Sequence, residues 1–249
     1  MRNILSFLIV TLLLFQACEN DSKVESEISK IDINVNVERF DKLFAEASPN
    51  DLPKLKADYP FMFSKQYHDS IWIARMNDTL QQQMFSEIQK KYSDFTEIND
   101  EVANLFKHLK YYYPTFKTPR VITLINDVEY RSKIIVTDSI TLIAIDNYLG
   151  SEHEFYGSIQ KYLKDNFEAN QIVSDLAQQY AYQSIYQERP KTLLDEMIYY
   201  GKELYYKDVM IPFKTDAEKI GYSAEDLIWA QDNEQYIWKH FVENELLYD

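Results

Sequence analysis

Three β-branched runs crowd the middle of the chain: Arg120-Val-Ile-Thr-Leu-Ile-Asn126, Lys133-Ile-Ile-Val-Thr137 and Ile140-Thr-Leu-Ile-Ala-Ile-Asp146, separated only by short polar turns. Runs this short and this close predict an antiparallel three-strand sheet with one covered face. Ile31, Ile33, Val35 and Val37 alternate with polar residues and add a half-buried strand or extended lead-in. Elsewhere the apolar period is helical, with helices expected near residues 64–77, 78–92, 99–113, 168–187, 192–208 and 223–247. Ser48-Pro49-Asn50-Asp51 breaks one helix and caps the next, and Thr192 and Ser223 each stand three residues before an acid, as N-caps do. No linker composition or internal period divides the chain. The fold class is therefore α+β, a mainly helical single domain carrying a small sheet.

Composition removes several functions. Against 26 Lys and Arg stand 40 Asp and Glu, a net charge of -14 that repels phosphate backbones, so nucleic acid is not a partner. With 4 Gly in 249 residues and neither a P-loop nor a G-x-G-x-x-G stretch, the usual nucleotide chemistry is disfavoured as well. One Cys cannot form an internal disulfide or supply the paired thiolates of a structural zinc site.

That single Cys has another use. Residues 1–17 run from a short charged start through an almost unbroken apolar stretch, Ile4 to Phe15, to Gln16-Ala17, and Cys18 follows directly. The stretch falls short of the roughly 20 apolar residues of a spanning helix and reads as a signal peptide. It resembles the lipobox of bacterial lipoproteins, with Phe15 where Leu is usual, and Cys18 is then the lipidated first residue of the mature chain. A diacylglycerol together with an amide-linked acyl group such as palmitate gives stable anchoring where one chain would not. Residues 18–30 read as lipidated Cys and polar tether, with the globular domain at 31–249. The mature chain balances 25 basic against 40 acidic residues, or -15, so anionic headgroups repel it and the lipid must hold it at the membrane.

Residue chemistry offers no conventional active site. The four His, at 68, 108, 153 and 240, are scattered, and His153-Glu154 lacks the second His of H-E-x-x-H. No G-x-S-x-G elbow occurs. Carboxylate pairs such as Asp195/Glu196 sit at helix starts, where the dipole already accounts for them. The tyrosine clusters 111–113, 199–200 and 205–206 could present a stacking surface for sugar or peptide, with Tyr199, Tyr200 and Tyr205 its candidates.

Several strings are more specific. Asp146-Asn-Tyr-Leu-Gly150, Met197-Ile-Tyr-Tyr-Gly-Lys-Glu-Leu-Tyr205, Thr215-Asp-Ala-Glu-Lys-Ile-Gly-Tyr222 and the segment from Trp238 to Tyr248 resemble the GldB family of gliding-motility lipoproteins. The resemblance implies an envelope lipoprotein required for movement over surfaces and associated with gliding and type IX secretion. It would be anchored at the inner or outer membrane facing the periplasm, with other gliding-machinery proteins as partners and no cofactor. Family members continue past the equivalent of Tyr248-Asp249, which implies a short form here or a further closing segment.

More distantly, the pattern is similar to zinc peptidases carrying H-E-x-x-H and a Glu-Gly ligand segment. Laid on that pattern, the positions fall on Ser174, Asp175, Gln178 and Tyr200, which implies a degenerate metallopeptidase-like scaffold without metal or catalysis. The competing expectation is a zinc-dependent peptidase using another set, such as His153, Glu154 and Asp175. Gly201 would mark a close helix approach, and a bulky residue there would overpack it.

Overall fold

The alternation at 31–37 is obeyed without a ladder: Ile33 and Val35 are half-buried, Val37 is buried, and the residues between them are exposed. Pairing starts only at β1 (Glu38–Arg39). The computed structural model describes residues 23–186 and 192–248, so Cys18 lies outside the described residues. A helical turn, α1, covers residues 23–28. After β1 come α2 (Phe40–Ala45), α3 (Leu52–Asp58), α4 (Asp69–Met76), α5 (Thr79–Lys91) and α6 (Thr96–Tyr112). The strands β2 (Arg120–Leu124), β3 (Ile134–Val136) and β4 (Ile140–Ala144) follow. The remainder is helical: α7 (Lys161–Lys164), α8 (Ile172–Ser184), α9 (Leu193–Met210), α10 (Asp216–Ile220), α11 (Ala224–Asp232) and α12 (Glu234–Glu243).

All three expected strands form, but the sheet is mixed and four-stranded, in the order β1-β2-β4-β3. β1 with β2 and β2 with β4 run parallel, and only β3 with β4 is antiparallel. The antiparallel expectation fails because β2 and β3 do not pair. The excursion between Leu124 and Ile134 carries the chain past one strand position, and the tight turn at Thr137 sends β4 back into the gap.

Both faces are covered, not one. Val121, Ile134 and Ile143 enter the main core, whereas Ile122, with Leu124, Ile140 and Leu142, enters a second cluster. Neighbouring strand residues point to opposite faces, so α6 and α8 close one side. The second side is closed by Phe40, Leu52, Leu55, Phe63 and Met76 from the α2–α4 region.

The segment leaving β4 is the most buried stretch of polar sequence. Asp146, Asn147, Tyr148 and Leu149 are all buried. The Asp146 carboxylate accepts the backbone N–H groups of Asn126, at 3.2 Å, and Val128, at 2.7 Å. Tyr156 donates its hydroxyl to the Asp146 carbonyl at 2.6 Å and accepts the N–H of Leu149 at 2.9 Å. Gly150 then turns the chain at φ +117°, a conformation that favours glycine.

Two boundaries differ from expectation. Residues 23–28 are not loose tether: Ile28 is 2% exposed, Glu25 meets His108 on α6 at 3.2 Å, and Glu27 accepts the Tyr111 hydroxyl at 3.1 Å. Val24, half-buried, and Ile28 form a single i, i+4 pair among polar residues, too short a period to read as a helix in sequence. The single helix expected over 223–247 is two, because the Asn233 side chain donates to the Trp229 carbonyl at 2.8 Å and ends α11. The Thr192, Ser223 and Ser48 caps are all present.

Two outcomes test this framework. Ile28→Ala should cost about 2–5 kcal/mol in urea unfolding; unchanged stability would mean that α1 is only a tether. Burial pushes the Asp146 carboxyl up to about 6 from 3.8. The folded state therefore holds this proton after the unfolded state releases it, a contribution fully present below about pH 4 and lost as pH rises to about 6. The stability of wild type relative to Asp146→Asn should fall over that window, by at most about 3 kcal/mol. A pH-independent difference would refute it.

Candidate functional site

The polar groups singled out in sequence converge on the seam between α8 and α9. Helical spacing puts Ser174, Asp175 and Gln178 on α8 at i, i+1 and i+4, and the buried stripe of α9 (Glu203, Tyr206, Lys207 and Met210) faces them. Asp175 is already committed. Its Oδ2 receives the Lys133 ammonium at 2.5 Å and the Tyr148 hydroxyl at 2.8 Å. The Lys133 ammonium also lies 5.4 Å from the Tyr148 ring centroid and 5.5 Å from that of Phe167, within cation–π range. Burial and the neighbouring Asp175 carboxylate hold the Tyr148 hydroxyl far above its ordinary range.

Below this pair, Gln178 donates to the Tyr182 hydroxyl at 2.7 Å and to Glu203 Oε2 at 3.4 Å. Glu203 is 3% exposed. Burial raises its carboxyl, and the Tyr199 hydroxyl beside it pulls the other way. Burial likewise lowers the Lys207 ammonium, which donates to the Lys219 carbonyl at 2.9 Å and feels Asp175 and Glu203 as compensating charges. Ser174 Oγ is buried without a hydrogen-bond partner.

The seam thus contains a carboxylate that α9 turns toward Gln178, but it is Glu203, and Tyr200 is not there. Tyr200 is 54% exposed because it lies about 100° around the helix from Tyr199. A hydroxyl, an amide and one carboxylate do not make a zinc ligand set. His153, Glu154 and Asp175 are not brought together either. His153 caps the turn that follows it, with its Nε2 3.7 Å from Glu87, and Glu154 is exposed. Among the described residues no group of three or more His, Cys, Asp or Glu side chains is arranged to hold a metal ion.

The tyrosine surface divides in two. Tyr199 and Tyr200 pack edge-on at 5.6 Å and line a cleft with Tyr182 and Tyr186. Tyr205 lines a separate depression with Tyr112, Tyr113 and Gly201. Gly201 marks no close approach: a Cβ there would meet nothing within 4 Å, so the overpacking expectation fails.

Lys133, Tyr148, Glu203 and Lys207 were not singled out from sequence. The stripe Tyr199, Glu203, Tyr206, Met210, spaced by three and four, was the available signal on α9. Nothing local marks Lys133, which reaches Asp175 only because β3 lies against α8.

A model of the family described as gliding motility protein GldB matches residues 21–249. The chain belongs to the GldB family. No curated protein and no solved structure matches it. Three of the GldB-like strings fall on the buried segment after β4, on the helix α9, and on α10 with its Thr215–Glu218 capping box and left-handed Gly221, and the fourth falls on α12, where no residue is buried, and the turn after it. Membership makes the chain a gliding-motility protein and associates it with the cell envelope. Among the described residues no helix is long and apolar enough to cross a membrane.

The ion pair at the seam can be measured directly. Asp175→Ala strands the Lys133 ammonium and should cost about 2–3 kcal/mol, discounted because about a fifth of each side chain meets water. Lys133→Met combined with Asp175→Leu should recover much of that loss in urea unfolding. Strictly additive single and double variants would show that the pair is uncoupled.

Proposed function

We propose that this GldB-family chain is a non-catalytic, lipid-anchored component of the gliding and type IX secretion apparatus, holding a partner protein of that machinery at the membrane. The observation that carries the non-catalytic reading is the commitment of Asp175. On the distant peptidase resemblance it would stand at the general-base position, yet Lys133 and the Tyr148 hydroxyl both hold it. A base must be free to take a proton from water, and a carboxylate paired at 2.5 Å with an ammonium is poorly placed to do so. The flanking Ser174 and Gln178 point the same way, toward a peptidase-like scaffold that keeps its shape without its chemistry. Cys18 carries the anchor in this reading, and the aromatic faces around Tyr199, Tyr200 and Tyr205 are the surfaces turned to the partner.

Replacement at the native locus tests both parts. Asp175→Asn and Glu203→Gln, accumulating to wild-type levels, should still support spreading on agar. Cys18→Ser should lose acylation, leave the membrane fraction and fail to support spreading. Loss of spreading in a stable Asp175→Asn strain, or stoichiometric zinc in the purified protein, would overturn the non-catalytic reading. Retention of Cys18→Ser in membranes washed with high salt would overturn the lipid anchor.

A further inference from the structure

On the face of the sheet opposite α8, at the carboxyl end of β2, lies an apolar cavity of about 520 Å³. Phe44, Phe63, Trp72 and Leu124 supply its walls. Its size falls in the range of small-molecule sites, and its position follows the tendency of ligands to bind beyond the carboxyl ends of parallel strands.

Two charged side chains reach the cavity, Asp41 and Arg75. Asp41 is fully committed. Its oxygens take the Arg39 guanidinium at 2.9 and 2.7 Å, and Thr123 donates its hydroxyl to one of them. Arg75 therefore sets the sign of the site. Its Nη2 lies 2.9 Å from each carboxylate oxygen of Asp127, and the Gln81 side-chain amide, also in the cavity wall, donates to the same carboxylate. A guanidinium and an amide converging on one carboxylate form a carboxylate receptor, and here it stands at the mouth of an apolar chamber.

The carboxylate that fills it is the chain's own. Asp127 is not part of the wall, and its side chain is 51% exposed. It belongs to a pair of non-glycine residues in left-handed conformation, with φ +60° at Asp127 and +58° at Val128. Such backbone is costly and persists where the surroundings impose it. Here the buried Asp146 imposes it, by accepting the Val128 N–H at 2.7 Å. A displaced Asp127 side chain can turn into solvent without disturbing that support.

We propose that the cavity binds an amphiphilic monocarboxylate of the fatty-acid class. Its carboxylate replaces that of Asp127 on Arg75 and Gln81, and its apolar body lies among Phe44, Phe63, Trp72 and Leu124. No covalent step is involved. The fit is to an anion because the Asp41 carboxylate is buried in its pair with Arg39, whereas the Asp127 carboxylate on Arg75 is half exposed and can be displaced.

Calorimetric titration of the mature chain carrying Cys18→Ser, which has no acyl group of its own, with dodecanoate below its micellar concentration tests this. Saturable one-to-one binding is expected, at least tenfold tighter than that of methyl dodecanoate. Asp127→Asn should tighten dodecanoate binding about threefold or more by weakening the internal competitor. Arg75→Gln should weaken it at least tenfold, and Ala45→Trp, which fills the chamber, should abolish it. The proposal is overturned if dodecanoate does not saturate the protein, if the methyl ester binds equally well, or if Asp127→Asn weakens binding. The ester comparison needs only the wild-type cavity, so an unstable variant does not spare the idea.

Discussion

Burial of the polar segment Asp146–Leu149 is the constraint from which the rest of the architecture follows. A carboxylate and an amide can leave water only where hydrogen bonds replace it. The Asp146 carboxylate takes backbone N–H groups from the loop after β2, the Tyr148 hydroxyl reaches across to α8, and Tyr92 donates to the Tyr148 carbonyl. These contacts fasten the strand ends to α5 and α8 at once. They also explain why Lys133 is where it is, since the ammonium lies beside both the Tyr148 ring and the Asp175 carboxylate.

The division of labour between the sheet's two faces is a second consequence. The main core joins α6 and α8 to one face, and the seam between α8 and α9 extends it outward into a partly satisfied polar cluster. The other face supports a smaller aromatic cluster in which Phe40, Tyr59, Phe63 and Trp72 meet at centroid distances of 5.0 to 6.0 Å. The helices α11 and α12 belong to neither, and no residue of theirs is buried.

Much of this was legible. Strand positions followed from β-branched runs, helix starts from Ser48, Thr192 and Ser223, and the family from strings that include the buried segment after β4. Strand order was not legible, because a period of two says which side chains share a face and nothing about which strand lies alongside. The site was half legible. Ser174, Asp175 and Gln178 do lie together, since i and i+4 spacing survives any tertiary arrangement. Their partners Lys133, Tyr148 and Glu203 come from three other elements, and only packing selects them. Tyr200 failed as a partner because it lies one residue out of phase with Tyr199, which stands four residues before Glu203 on the stripe facing α8.

The docking of α1 on α6 has a mechanical consequence. Five residue steps separate Cys18 from Lys23, and a fully extended chain covers at most about 3.6 Å per step. An acyl group on Cys18 would therefore sit within roughly 18 Å of the folded body. In the lipid-anchored form proposed above this is a short leash, and it would keep the end of the domain near Glu25, His108 and Tyr111 close to the bilayer. A partner would then be offered surfaces at a nearly fixed height above the lipid, so a force applied to the domain would pass to the membrane with little slack.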